Sequence, residues 1–226
     1  GLNTGVLDAS NLPWRIAFVT RGWADDALLE GYAREQGPVA IQGSGEMAEA
    51  ARANMERRRG IVEAMTGGDW GVAMTRGLLG VRLDVDNDGD WSMVVHGAEP
   101  VAVRIGDRVP DLPLFTAAGR QHLHELVDGR FVALWFTDVR RRPVIPANST
   151  PGLVHFAVSR WDAPFEQGLR DRCAFDPGER VMKRLQVPAD TCMLIRPDGH
   201  IAYLGPFDPA SGEDPITAAY LRIVRP

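Results

Sequence analysis

The sequence predicts an α/β protein built in two unequal parts. Over roughly the first 66 residues apolar side chains recur at helical spacing, and from about Val101 to Pro226 strand and helix signals alternate between glycine and proline turns. The 226 residues, 45% of them hydrophobic, suffice for one ordinary core or two small ones. Residues 67–100 read as a connecting segment between the two parts.

In the first part, Val6, Ala9, Leu12, Ile16 and Val19 fall on one face of a helix, which Asn3 or Thr4 can cap. Pro13 lacks a backbone donor and is expected to kink that helix. Gly22 supplies the left-handed residue that closes a helix. Asp25 can cap a second helix carrying Leu28, Leu29 and Tyr32. After the Gly43 to Gly45 break, Met47, Ala51, Met55 and Val62 form a stripe on a helix from about Glu46 to Met65. Trp70 to Leu83 is apolar without a clear period. The polar turn Asp84 to Asp90, set between Val81-Arg82-Leu83 and Trp91 to Val95, predicts a β-hairpin.

In the second part, Leu112 to Phe115 predicts a short strand, His122 to Val127 a helix, and Arg130 to Phe136 a buried strand entered from Gly129. Leu153 to Val158 is another strand. Helical spacing returns near Phe165 to Cys173 and at Arg180 to Leu185. Thr191 to Ile195 and His200 to Leu204 flank Pro197-Asp198-Gly199, a hairpin signal, and the last helix runs from Pro215 to Val224. This order suits a thioredoxin-like layer of helices on a central sheet.

Composition and motifs exclude several kinds of chemistry. A net charge of -5 leaves no basic field for nucleic acid, and Arg140 to Arg142 is a short solvated run. Cys173 and Cys192 match neither a zinc pair nor a CxxC. Where a redox CxxC would follow the first central strand, the chain has Thr137-Asp138-Val139-Arg140, and Pro188 stands three residues too early for the thioredoxin proline. Asp84, Asp86, Asp88, Gly89 and Asp90 imitate half a calcium loop, but Val95 occupies the position that needs a glutamate. His122 and His124 are expected on different helix faces, and His96, His155 and His200 are scattered, so no metal site is expected. Ser149 and Ser159 lack a nucleophile-elbow setting. The six tryptophans read as core or interface anchors. No run of about 18 apolar residues occurs, so no membrane span is expected and a cytoplasmic location is.

Two sets of pieces carry a resemblance. GLNTG at Gly1 to Gly5, DASNLPWRIA, GWADDALLEGY and Pro38 to Ala40 resemble the end of the FAD domain in the class A flavin-dependent aromatic hydroxylases of the phenol hydroxylase and 3-hydroxyphenylpropionate hydroxylase group. IGDRVPDLPL, DGRFVALWF and CMLIRPDGHIAYLG resemble the thioredoxin-like C-terminal domain of the same group. The sequence departs from the family at Pro13, where alanine is common, and at Glu35-Gln36-Gly37-Pro38, where Glu-Arg-Arg-Pro is frequent.

The resemblance implies helices of an FAD-binding domain over residues 1–66, then the connecting segment, then a thioredoxin-like domain lacking CxxC over residues 101–226. It implies an upstream FAD-domain segment holding the glycine fingerprint, NAD(P)H as reductant, and an aromatic substrate of phenolic or polyketide type that is hydroxylated; a homodimer is among the assemblies it allows. Gly1, Leu2 and Asn3 are then the cofactor-binding residues, presenting backbone N–H groups and the positive helix end to the flavin pyrimidine edge. No catalytic or metal-ligating side chain is assigned. A second class stays open, a non-catalytic thioredoxin-like module for dimerisation or protein contacts with the first helices as a docking arm.

Overall fold

A computed structural model of the chain describes residues 2–38, 41, 103–137, 145–159 and 170–226. The expected helix at Glu46 to Met65, the hairpin at Asp84 to Asp90 with its calcium-like carboxylates, and the 67–100 connection lie outside the described residues.

The first helix, α1 (Leu2–Thr20), contains Pro13. It starts earlier than the capping reading required, so Asn3 and Thr4 lie inside its first turn. Gly22 closes it at φ +70, with Gly22 N–H donating to Val19 O and Trp23 N–H to Phe18 O, both at 2.9 Å. The second helix, α2, covers residues 27–38.

The C-terminal part is one sheet flanked by helices. Its strands are β1 (Pro113–Thr116), β2 (Gly119–His122), β3 (Phe131–Phe136), β4 (Leu153–Ser159), β5 (Cys173–Phe175), β6 (Thr191–Ile195) and β7 (Ile201–Pro206). They lie in the order β2-β1-β5-β4-β3-β6-β7. β3, β4 and β5 are parallel, and the outer pairings are antiparallel. The helices are α3 (Leu123–Val127), α4 (Arg180–Leu185) and α5 (Pro215–Val224). Local chemistry sets their starts. The Asp176 carboxylate accepts from Val181 N–H and Met182 N–H at α4, and Asp214 accepts from Thr217 N–H at α5.

The central strands are apolar throughout because both faces are covered. On one face Val132, Leu134, Phe136, Met193 and Ile195 pack with Leu123, Val181 and Leu185. On the other, Phe131, Ala133, Trp135, Cys192 and Leu194 pack with Ile216, Tyr220 and Val224 of α5 and with Trp14, Phe18 and Leu28 of the N-terminal helices. α1 is therefore a wall of the second core. Phe131 has ring centroids of Trp14, Phe18 and Tyr220 at 5.4, 5.5 and 5.1 Å, all near edge-on.

Three further expectations are corrected. Cys173, read as the end of a helix, opens strand β5. His122 ends β2 instead of entering α3, so His122 Nδ1 and His124 Nδ1 lie 3.3 and 3.9 Å from the same Asp111 carboxylate, not on opposed faces. The α1 stripe expected from spacing is largely exposed, with Val6 at 51% and Ile16 at 45%, while Asn11, Trp14, Arg15 and Phe18 are buried. Among the described residues no helix is long and apolar enough to cross a membrane.

Candidate functional site

Leu2 and Asn3 occupy the first turn of α1; Gly1 lies outside the described residues. N–H groups in a first turn have no intrahelical acceptor, and no acidic side chain in that turn competes for them. An electron-rich ring edge or anion fits such an end. The turn offers hydrogen-bond donors, not an acid, a base or a nucleophile.

Nine residues further along α1 lies a site that sequence reasoning missed. Asn11, Trp14 and Arg15 meet Glu35 of α2 and the β6–β7 turn of the C-terminal part. That turn is tight because Gly199 adopts φ +84, with Arg196 N–H donating to His200 O at 2.8 Å. It projects Arg196 and Asp198 toward α1. Asp198 Oδ2 accepts from Asn11 Nδ2 at 3.1 Å, Trp14 Nε1 at 3.2 Å and Arg196 Nη2 at 2.5 Å. Its Oδ1 accepts from Arg196 Nε at 3.2 Å and lies 3.1 Å from His200 Nδ1.

Glu35 joins the two arginines. Arg15 Nη2 donates to its Oε2 at 2.6 Å, and Arg196 donates from Nη1 and Nη2 to both oxygens at 2.9 Å. Arg15 is further fixed by Asn11 Oδ1 and Leu28 O, each at 3.0 Å. Both guanidinium carbons also lie near the Trp14 ring, 4.9 and 5.3 Å from its centroid. Gly31 is needed where α2 passes this cluster, since a Cβ there would sit 2.8 Å from Arg15 Nη1.

Two arginines and two carboxylates balance in charge, and Arg15, Arg196 and Asp198 are almost wholly buried. Burial alone would raise the Asp198 carboxyl; Arg196, and then His200, outweigh it and hold it far below the usual carboxylate range. Burial acts the same way on Glu35, but Arg196 and then Arg15 keep it below its ordinary value. Arg196 moves up, because Asp198 and Glu35 overcome its desolvation. Arg15 moves down through burial and the charge of Arg196. Asp198, Glu35 and Arg196 are thus each shifted toward their charged form, which makes the cluster a fixed ionic tie.

Among the described residues, the remaining candidates show no activated group. Burial pushes the Cys173 thiol up to about 11 and the Cys192 thiol up to about 12, the reverse of an activated thiol, and no disulfide joins them. Thr137 at the CxxC position is buried and donates to Val158 O; Asp138 to Arg140 lie outside the described residues. Among the described residues no group of three His, Cys, Asp or Glu is placed to hold a metal. His155 is buried against Trp135, whose Nε1 donates to His155 Nδ1 at 3.1 Å.

Comparison with known proteins matches both ends of the chain. Residues 1–44 match a family described as FAD binding domain. Residues 102–224 match the family described as aromatic-ring hydroxylase, C-terminal. A rifampicin monooxygenase of Rhodococcus hoagii is 34% identical over 212 residues, 91% of this chain and 35% of that protein. The 6-methylpretetramide 4-monooxygenase of Streptomyces rimosus is 28% identical over 91% of this chain and 38% of its own length. The chain thus spans little more than a third of these relatives. Among solved structures, aklavinone-11 hydroxylase in complex with FAD and aklavinone superposes over 98% of this chain and 40% of its own, with TM-score 0.64 at 20% identity. That likeness is one of fold.

Proposed function

The chain belongs to the aromatic-ring hydroxylase C-terminal family, and from that premise we propose that it is the rear portion of an FAD-dependent monooxygenase. Its helices over residues 1–66 end an FAD-binding domain, residues 67–100 connect, and residues 101–226 form the thioredoxin-like domain. The proposed reaction uses NAD(P)H and oxygen to hydroxylate an aromatic small molecule of phenolic or polyketide type.

The observation that carries this reading is the join between the two matched regions. The helix matching the FAD-binding family is built into the core of the domain matching the hydroxylase family, through Trp14, Phe18 and the Arg15–Glu35–Arg196–Asp198 cluster. A detachable docking arm would not share a core with its module.

Bound FAD supplies the redox chemistry. Leu2 and Asn3 at the start of α1, together with Gly1 before them in sequence, would offer it donors, since N–H groups and the dipole at a helix start favour negative charge. The thioredoxin-like part contributes no thiol step and keeps α1 in place.

The test uses the whole polypeptide from the gene that encodes this chain. It is expected to purify yellow, to oxidise NADH or NADPH in the presence of an aromatic substrate, and to place one atom of 18O2 in the product. Asn3→Pro removes one donor in a first turn that tolerates proline, and loss of one charge-assisted hydrogen bond is expected to cost roughly 1.5–3 kcal/mol of preference for anionic reduced flavin. The flavin potential and the coupling of NAD(P)H oxidation to product then fall. Asn3→Ala keeps the donor and does much less. Wild-type potential, coupling and FAD affinity in both folded variants would reduce GLNTG to a plain helix start.

A further inference from the structure

We infer that Arg196 and Asp198 of the C-terminal domain are positioning residues for α1, fixing how far along and how deep that helix sits, and hence where its first turn meets the cofactor. The cofactor half of this inference rests on the FAD reading above; the positioning of α1 does not.

The geometry separates this tie from ordinary packing. Trp14 and Phe18 bury apolar surface, and apolar burial is non-directional. Asp198 is directional: two of its donors, Asn11 Nδ2 and Trp14 Nε1, come from α1, and the others come from its own hairpin. A slip of α1 by one turn, about 5.4 Å, would carry both donors away and leave a buried carboxylate short of partners. Glu35 closes the other side by gripping Arg15 and Arg196 together, so α1 and α2 are held as a pair against the β6–β7 turn. Buried polar groups that set register are known to act in this way.

From Asn11 to Leu2 α1 rises about 13 Å, a stiff lever that transmits a displacement at Asn11 to its first turn. The cluster is balanced in charge, two arginines against two carboxylates, so its influence at the first turn is placement and not a long-range field.

The experiment compares Arg196→Met, Arg196→Lys and Asp198→Asn in the whole polypeptide with Val181→Ala, which loosens the opposite core of the same domain without touching α1. In the apoprotein, Arg196→Met is expected to speed amide exchange across α1 roughly tenfold more than Val181→Ala does at equal loss of global stability. In the FAD-loaded protein it is expected to weaken FAD about threefold or more and to divert NAD(P)H oxidation to hydrogen peroxide. Arg196→Lys keeps the charge but not the fork and recovers part of both effects. Should Arg196→Met fail to fold, the isosteric Asp198→Asn carries the same expectations.

If Val181→Ala matches the Arg196 and Asp198 variants in α1 exchange and in coupling, the cluster merely stabilises and the inference is overturned. If α1 exchange rises while FAD affinity and coupling hold, the placement of the cofactor is overturned and only the tie between helices and domain survives. A wild-type polypeptide that takes up no FAD sinks the flavin reading and the cofactor half together, and the exchange comparison still decides whether Arg196 and Asp198 place α1.

Discussion

At the residue scale, burial penalises every charged group alike, and the charged partners decide whether it prevails. Asp198 and Glu35 are held below their ordinary values by arginines, so the stability they contribute is complete at neutral pH and is lost only as pH falls below the usual carboxylate range, about 4. His155 has only the weaker support of Asp214, which burial outweighs. Burial, together with Arg172 and against Asp214, lowers it from 6.5 to about 4, and because its Nδ1 accepts from Trp135 the neutral ring carries its proton on Nε2. Well above pH 6.5 neither the folded nor the unfolded chain protonates this residue. Between about 6.5 and 4 the unfolded chain binds the proton and the folded one does not, so stability is lost as pH is lowered, by on the order of 3 kcal/mol across the interval. His155→Gln keeps an acceptor for Trp135 and does not titrate. Urea midpoints measured across that interval are expected to slope in the wild type and to flatten in the variant; an unchanged slope would assign the effect elsewhere.

At the element scale, α1 shows a helix whose two faces do different work, and it marks the limit of what spacing reveals. Its contact with the sheet depends on Gly152, which sits at φ +75 and where a Cβ would lie 2.6 Å from Phe18 Cε1. Gly152→Ala is therefore expected to cost about 2–5 kcal/mol, from left-handed strain and overpacking. Phe18→Leu in the same chain should return the steric part alone. Equal costs of Gly152→Ala in both backgrounds, measured by denaturation, would show that Phe18 is not seated there. The strands β3, β4 and β6 and the helices α4 and α5 were legible to within a residue or two, because apolar runs buried on two faces and residues such as Pro215 leave local marks. β2 was not, since Gly119-Arg120-Gln121-His122 holds no apolar side chain and forms only by pairing with β1. The α1 stripe was legible as a helix, but the period could not say that the polar face of Asn11 and Arg15 turns inward. Of the candidate site, the flavin-facing role proposed for Gly1, Leu2 and Asn3 rests on the family resemblance alone; the structure describes Leu2 and Asn3, in the first turn of α1. The Arg15–Glu35–Arg196–Asp198 cluster could not be read from the sequence: Arg15 falls outside the apolar stripe and Asp198 sits in a hairpin signal, and nothing local links residues so far apart in sequence. Only the fold gives them to each other.

At the scale of the whole molecule, the two regions that match different families share one of the two cores of the sheet, so they are expected to stand or fall together. Trp14, Phe18 and Leu28 are each less than a tenth exposed, and burying a large apolar side chain contributes about 1.5–3 kcal/mol. Their sum is comparable to the 5–15 kcal/mol that usually separates folded from unfolded states. Truncation to residues 101–226 uncovers Phe131 and leaves Arg196 and Asp198 without Glu35, Asn11 and Trp14. The truncated domain should therefore bind a hydrophobic dye, unfold at a clearly lower urea concentration than the 226-residue chain, and gain stability when residues 1–44 are supplied in trans. The opposite core, built on Leu123, Val181 and Leu185, is untouched, so strand content by circular dichroism should persist at low denaturant. A truncated domain with the same midpoint and no dye binding would mean that α1 and α2 rest on an already complete fold. In that case the shared core could not be what joins the helix matching the FAD-binding family to the C-terminal domain, and the proposed enzyme would have to hold its two parts together through residues elsewhere in the polypeptide.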